Sequence, residues 1–257
     1  MGIAWLAAGS NCSPDDRHDN RVADAMLGRL KRWLSAGSRG TMFEDRQDAA
    51  AKLAERLSGY GGRNALVLGI PRGAVPMART IADHLGGEVD VVLVRKLGAP
   101  GNPEFAVGAV DESGWSYVAE HAGAAGADAA YLEEEKQRQL EIMRQRRAQY
   151  TAQRPALDPR GRIVIVVDDG LATGSTMIAA LHALRNRSPA RLVCAVPVAP
   201  PDTVALVAQH CDEVVCLQTP EYFAAVGEFY QHFPQVSDQE VIAALTRNGA
   251  AKAPRGN

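Results

Sequence analysis

Nothing in this sequence assembles the usual ligands of a structural metal centre. Its four cysteines, Cys12, Cys194, Cys211 and Cys216, form no CxxC pair, and none of its six histidines pairs with another at metal-ligand spacing. Cys194 and Cys216 lie in apolar runs that read as buried strands, so reduced thiols in a cytoplasm are the simplest account. Charge of one sign is also lacking: the formal net charge is -2, which provides no basic field for nucleic acid. No apolar run approaches the roughly 20 residues that a membrane-spanning helix needs. The short apolar patch Ile3 to Ala8 has no basic residue before it, so neither a signal peptide nor a membrane span is expected. Missing too are the nucleotide-loop fingerprints, GxxxxGK followed by Ser or Thr, and GxGxxG.

What is present is the composition of an ordinary globular chain, 46% hydrophobic and 23% charged over 257 residues, long enough to bury a sizeable core. Residues 1–41 carry polar clusters, an amphipathic stretch from Val22 to Leu34 and a Ser/Gly-rich end, and are expected to be a poorly ordered extension. Met42-Phe43 opens the compact part, a domain over 42–247, and 248–257 reads as a disordered tail. Within the domain, nearly unbroken apolar runs (Ala65 to Ile70, Val89 to Val94, Ile163 to Val167, Leu192 to Val198, Val214 to Leu217) alternate with helical patterns. The helices are placed at Asp45 to Leu57, Val75 to Leu85, Thr176 to Arg187 and Thr203 to His210. This rhythm predicts an α/β fold, a Rossmann-like parallel sheet with flanking helices. It is interrupted after Val94 by a glycine- and proline-rich segment, read as a mobile loop over Leu97 to Phe105 leading into a hairpin at Asp111 to Gly114. A charged insertion helix over 129–150 follows, acidic at Glu133 to Glu135 and basic at Arg144, Arg146 and Arg147. Five of the fourteen aromatics (Tyr222, Phe223, Phe229, Tyr230 and Phe233) crowd into a small C-terminal hood over 218–236, where they could stack on a base or simply cover the sheet edge.

The informative stretch is Ile163 to Thr176: an apolar strand, two acids, a loop of small residues, then a helix start near Gly174. Ligands of open parallel sheets bind beyond the carboxyl ends of strands. Thr173 to Thr176 would offer free backbone N–H groups, hydroxyls and the positive end of a helix dipole to a phosphate. Asp168 and Asp169 beside a phosphate make electrostatic sense only if the ligand also presents hydroxyls or a metal, as a ribose 5-phosphate does. Piecemeal, Asp168-Asp169-Gly170 is turn chemistry and Thr173 a helix cap; the constellation as a whole is far more specific.

Apolar strand, Asp-Asp, three residues, Thr-Gly-x-Thr resembles the 5-phosphoribosyl-1-pyrophosphate (PRPP) motif of type I phosphoribosyltransferases. Its DDGLATGSTM form is especially similar to adenine phosphoribosyltransferases, with Ala172 where the hypoxanthine-guanine enzymes carry an aspartate. The resemblance implies that Asp168 and Asp169 bind the ribose hydroxyls, and that Gly170 and Ala172, Thr173, Gly174, Ser175 and Thr176 surround the 5-phosphate. The segment Gly69-Ile70-Pro71-Arg72-Gly73 resembles the family's pyrophosphate loop, where a non-proline cis peptide is usual, giving Pro71, Arg72 and Gly73 to the pyrophosphate. Arg95 and Lys96 resemble the start of the loop that closes over the site.

Transfer replaces pyrophosphate at the anomeric carbon by a nitrogen nucleophile through an oxocarbenium-like transition state. The implied cofactor is Mg²⁺, reached by Asp168 and Asp169 through water. Arg72 and Lys96, with Arg95, are candidates for stabilising the leaving group, and Glu104 is the acid placed by sequence near the acceptor. The acceptor hood would be Tyr222, Phe223, Phe229 and Tyr230. The hood does not resemble the adenine enzymes and leaves the acceptor open. The overall pattern resembles bacterial phosphoribosyltransferases of unassigned substrate that share the IPRGAVP, RKLGAPGNPE and VDDGLATGST segments. The partners implied are PRPP and a small nitrogenous acceptor, with no nucleic acid and no membrane. Flat helical faces leave pairing into a homodimer open. Cytoplasmic nucleotide salvage would follow. The rival readings are a PRPP-binding regulator without catalysis, for which residues 1–41 supply no convincing DNA-binding helices, and a phosphohydrolase, which lacks a further ligand set and a nucleophile.

Overall fold

Polar residues are almost absent from the strands that build the core. In the computed structural model, which describes residues 42–151 and 156–246, β1 (Leu66–Gly69) and β6 (Ile163–Val167) are buried at every residue, and β7 (Arg191–Val198) at all but its first. Strands covered on both faces look like this. With β2 (Glu88–Val91) and β8 (Glu213–Gln218) they form a five-stranded sheet in the order β2-β1-β6-β7-β8, parallel at every pairing. The expected α/β architecture is therefore present. The extension over 1–41 and the tail over 248–257 lie outside the described residues.

Helix α1 (Arg46–Arg56) starts where the Asp45 side chain accepts hydrogen bonds from the Gln47 and Asp48 amides, and it buries Ala49, Ala50, Leu53 and Ala54 at helical spacing. Helix α2 (Ala74–Leu85) carries Pro76 in its first turn and stops at Gly86, whose φ of 65° suits glycine. It packs on β1 and β2, whereas α1 packs on β7 and β8, and α4 (Ser175–Arg185) lies against β6 and β7. Beyond the sheet come α3 (Ala129–Tyr150), α5 (Pro201–Val207) and α6 (Asp238–Thr246). The helix expected to run to His210 gives way after Val207 to a tighter 3-10 turn, Ala208–His210. No helix among the described residues is long and apolar enough to cross a membrane.

Two expectations need correction. The run Val89 to Val94 is not one strand: β2 ends at Val91, and β3 (Val94–Ala99) belongs to a second, antiparallel sheet with β4 (Asn102–Asp111) and β5 (Ser116–Val118). The segment read as a mobile loop, Leu97 to Phe105, is in fact the closed end of the β3–β4 hairpin. Ala99 pairs with Asn102, leaving Pro100 and Gly101 as the turn, and Gly101 takes the positive φ of 73°. Two register shifts beside Gly98 bend the ribbon. The second hairpin falls where expected: Asp111 Oδ1 accepts from the Ser113 and Trp115 amides, and Gly114 turns the chain at φ 87°. Trp115 then stacks on His182 of α4, ring centroids 3.4 Å apart, docking the antiparallel sheet on that helix.

The C-terminal hood is sewn to the start of the domain. Phe43 N–H donates to the Phe229 carbonyl at 2.8 Å, Gln231 N–H donates to the Phe43 carbonyl at 2.8 Å, and the Phe43 and Tyr230 rings lie 5.5 Å apart.

Candidate functional site

From β1 the chain moves to β2 on one side, while from β6 it moves to β7 on the other. The crevice between the loops leaving β1 and β6 is therefore the point where strand order reverses, the favoured ligand position of open parallel sheets. Gly69 pairs with Val167 at the carboxyl ends, and Ile70 N–H donates to the Val167 carbonyl at 3.0 Å, so both loops leave from adjacent rungs. The peptide Pro71–Arg72 is cis. Glycines let the parts approach: a Cβ on Gly69 would lie 2.8 Å from the Val75 Cα at the start of α2, and one on Gly73 would overlap the Asp169 carboxylate.

That carboxylate belongs to a half-buried acid pair. Burial pushes the Asp168 carboxyl well above its usual range and the charge of Asp169 adds to this, opposed by the Asp169 N–H at 2.9 Å and by the charges of Lys96 and Arg46. Burial also raises Asp169, opposed by Arg46, whose Nε and Nη2 both lie 2.8 Å from Asp169 Oδ2. The Tyr230 hydroxyl donates to the Asp169 carbonyl at 2.6 Å and fixes its backbone. Two adjoining, half-buried carboxyls are met by one guanidinium, one backbone N–H and a lysine's field, which leaves oxygens open to a ligand presenting hydroxyls or to a hydrated cation.

Beyond the acids the loop rises into solvent at Ala172 and Thr173 and turns at Gly174, φ 76°, into the first residue of α4. No side chain caps this helix, so its first-turn amides and the positive end of its dipole face outward. Thr173 Oγ1 and Ser175 Oγ stand 3.2 Å apart at the mouth. The loop is held from behind by the Thr203 hydroxyl, which donates to the Ala172 carbonyl at 2.7 Å, and by Leu171 N–H, which donates to the Val198 carbonyl at 2.9 Å. Such a loop can take a phosphate on backbone donors.

Comparison with known families bears on this arrangement directly: the model of the phosphoribosyl transferase domain matches residues 41–232. The chain belongs to that family. Two Mycobacterium tuberculosis proteins, named "Putative phosphoribosyl transferase MT0597" and "Putative phosphoribosyl transferase Rv0571c", are each 42% identical to it over 207 residues, 80% of this chain and 47% of theirs. The chain thus spans about half the length of the curated relatives it matches. The crystal structure of TT1426 from Thermus thermophilus is 48% identical, with a TM-score of 0.68, over 80% of this chain and 98% of that one.

The phosphoribosyl transferase fold brings together most of the residues singled out from sequence, but not all. Asp168, Asp169, Gly170, Ala172 to Thr176, Pro71 and Gly73 line the two loops of the crevice. Gly170 is packed under the hood, where a Cβ would come 2.6 Å from Val226 Cγ1. Lys96 is exposed, and its charge works against the rise of the Asp168 pKa. Its neighbour Arg95 does not join it, because consecutive strand residues point to opposite faces; Arg95 Nε instead donates to Gln139 Oε1 of α3 at 2.8 Å. Arg72, in the loop leaving β1, lies 3.9 Å from Asp238. Tyr230, expected to offer a stacking face, is 4% exposed between Phe43 and Phe233, and serves as a post under Asp169. Phe223 stacks on Phe229 at 5.2 Å, and Tyr222 is fully open at 91% exposure. Glu104 falls in β4, and its side chain lies outside the described residues. Arg46 and Thr203 were missed. Neither belongs to a motif: Arg46 reaches Asp169 across 123 residues, donates to the Pro234 carbonyl at 2.6 Å, and lies 3.7 Å over the Phe233 ring.

Proposed function

We propose that the chain transfers the 5-phosphoribosyl group of PRPP to a nitrogenous acceptor of the nucleobase class and releases pyrophosphate. The observation that carries this reading is the half-buried acid pair beside an uncapped helix start at the switch point of the sheet. Asp168 and Asp169 accept hydrogen bonds from the vicinal ribose hydroxyls. Ala172 to Thr176 hold the 5-phosphate. Pro71 to Gly73 and Lys96 face the pyrophosphate, where cations stabilise charge that grows as the glycosidic bond breaks. The Glu104 carboxylate is the base that takes the acceptor's proton. The hood, with the Phe223–Phe229 stack, stands beside the loop as the acceptor's cover, and the β3–β4 hairpin keeps water from the cation-like sugar.

Magnesium fits as an ion carried by the substrate. Among the described residues no group of three or more His, Cys, Asp or Glu could hold a metal ion, while Asp168 and Asp169 are oxygen donors suited to its water shell. Bound there, it supplies Lewis-acid stabilisation of the leaving group. The reading places the protein in cytoplasmic nucleotide salvage, acting on small molecules.

A screen of nucleobases with PRPP and magnesium, reading pyrophosphate release, tests it. Release with one base supports transfer. Tight PRPP binding with no release for any base would overturn transfer in favour of a PRPP-sensing regulator.

A further inference from the structure

Arg46 stands where three parts of the site meet, although no motif includes it. It is the first residue of α1, whose start the Asp45 side chain caps, and its own side chain is only 12% exposed. Its Nε and Nη2 both lie 2.8 Å from Asp169 Oδ2, in the loop after β6. The third nitrogen, Nη1, donates to the Pro234 carbonyl of the hood at 2.6 Å, and Cζ lies 3.7 Å over the Phe233 ring. Phe233 packs in turn on Tyr230, ring centroids 4.8 Å apart. From the loop after β1, Gly73 comes so close that a Cβ there would overlap Asp169 Oδ2 and lie 3.0 Å from Arg46 Nε.

The result is a carboxylate with two unlike oxygens. Oδ2 is closed off by the guanidinium and by Gly73, whereas among the described residues no amide or side chain donates to Oδ1. An aspartate left to itself turns easily about its last bond, a broad and roughly two-fold torsion, so that either oxygen could meet a ligand. Two guanidinium nitrogens on one oxygen remove that choice. Arginine suits the task because its donors lie in one plane at fixed angles: two serve Asp169, a third reaches Pro234, and the plane rests on an aromatic face. A lysine would keep the charge as a point and lose the orientation. The hood's other holds on this loop are of a different kind. Val226 packs over Gly170 and the Tyr230 hydroxyl binds the Asp169 carbonyl, and both secure backbone; Arg46 grips the carboxylate itself.

We infer that Arg46 is a positioning residue for sugar recognition: anchored on the hood at Pro234 and Phe233, it holds Asp169 so that Oδ1 is the oxygen offered to a sugar hydroxyl. It acts through Asp169 rather than by touching the substrate. The inference rests on the phosphoribosyl-transfer reading, in which Asp168 and Asp169 take the ribose hydroxyls while Ala172 to Thr176 take the phosphate. Removing Arg46 should therefore weaken the sugar's share of binding and spare the phosphate's.

Calorimetry with magnesium present separates the two shares. Ribose 5-phosphate and inorganic phosphate are titrated into the parent, Arg46→Met and Arg46→Lys, and the ratio of the two affinities is taken for each protein. The parent should prefer ribose 5-phosphate. In Arg46→Met that preference should fall about tenfold, the worth of one charge-assisted hydrogen bond, with phosphate affinity unchanged. Arg46→Lys should recover at most part of it. A general loosening of the fold would weaken both ligands by the same factor and leave the ratio where it was. An unaltered ratio in Arg46→Met, or the full parental ratio in Arg46→Lys, overturns the inference. Should Arg46→Met fail to melt cooperatively, Arg46→Lys decides alone: a lowered ratio with phosphate affinity intact supports the inference, and a parental ratio contradicts it. A parent that binds ribose 5-phosphate no better than phosphate would instead strike the phosphoribosyl reading itself, a result seen before any variant is compared.

Discussion

Replacing Asp168 by Asn should make the ligand-free protein more stable while removing its affinity for the sugar. Asp168 ionises against burial and against the neighbouring Asp169 charge, so its folded-state pKa lies well above the usual carboxylate range. The sign follows from proton linkage. A carboxyl raised on folding costs stability at neutral pH, and the cost disappears as pH falls through the folded value toward the unfolded one. The amide of the variant keeps an oxygen to accept the Asp169 N–H bond, now 2.9 Å, and carries no charge to desolvate. Relieving a half-buried group of this kind is worth about 1–3 kcal/mol, or roughly 2–12 °C in Tm for a domain of this size. Thermal melts from about pH 4 to pH 8 read it, within the ordinary carboxylate-to-neutral window. The variant should melt higher at neutral pH and the gap should close toward the acid end. With PRPP and magnesium added the order should reverse, because only the parent gains ligand stabilisation. A variant less stable than the parent at neutral pH, or a gap indifferent to pH, would refute the view that Asp168 is strained by its surroundings.

Three further outcomes are expected. Arg46→Met leaves the Asp169 carboxylate without its guanidinium; since the pair is only 12% and 18% exposed, the loss should approach the about 3–5 kcal/mol of a broken buried ion pair, shrinking as Asp169 protonates in acid, as melts across pH would show. Gly174→Ala must adopt φ 76° and bring a Cβ 3.0 Å from Val207 Cγ2, so it should cost about 1–2 kcal/mol in denaturant titrations and weaken ribose 5-phosphate binding in calorimetry. Glu104→Gln should lower turnover and leave PRPP affinity intact; unchanged turnover would remove Glu104 from the mechanism.

The parallel sheet was legible because strands covered on both faces leave a mark in composition: Ile163 to Val167 contains no polar residue and pairs on both sides. The acid pair and the phosphate loop were legible because one contiguous segment carries them. The hairpin at Leu97 to Phe105 was not, since Pro100 and Gly101 read as loop punctuation and the cross-strand pairs that make them a turn depend on partners chosen in three dimensions. The opposed directions of Arg95 and Lys96 could have been foreseen from strand periodicity once β3 was known to be a strand. Arg46 left no local signal: its value comes from meeting Asp169, Pro234 and Phe233, all remote in sequence. The same is true of Tyr230, whose aromatic ring suggested stacking but whose hydroxyl holds the Asp169 backbone.

The most direct measurement of the central claim is a calorimetric titration of PRPP with magnesium into the parent protein and into the Asp168→Asn, Asp169→Asn double variant. Saturable heat with the parent, and none with the double variant at the same concentrations, is the predicted result. Equal affinity in the two proteins, or no heat with either, would contradict the assignment of this crevice to a phosphorylated ribose.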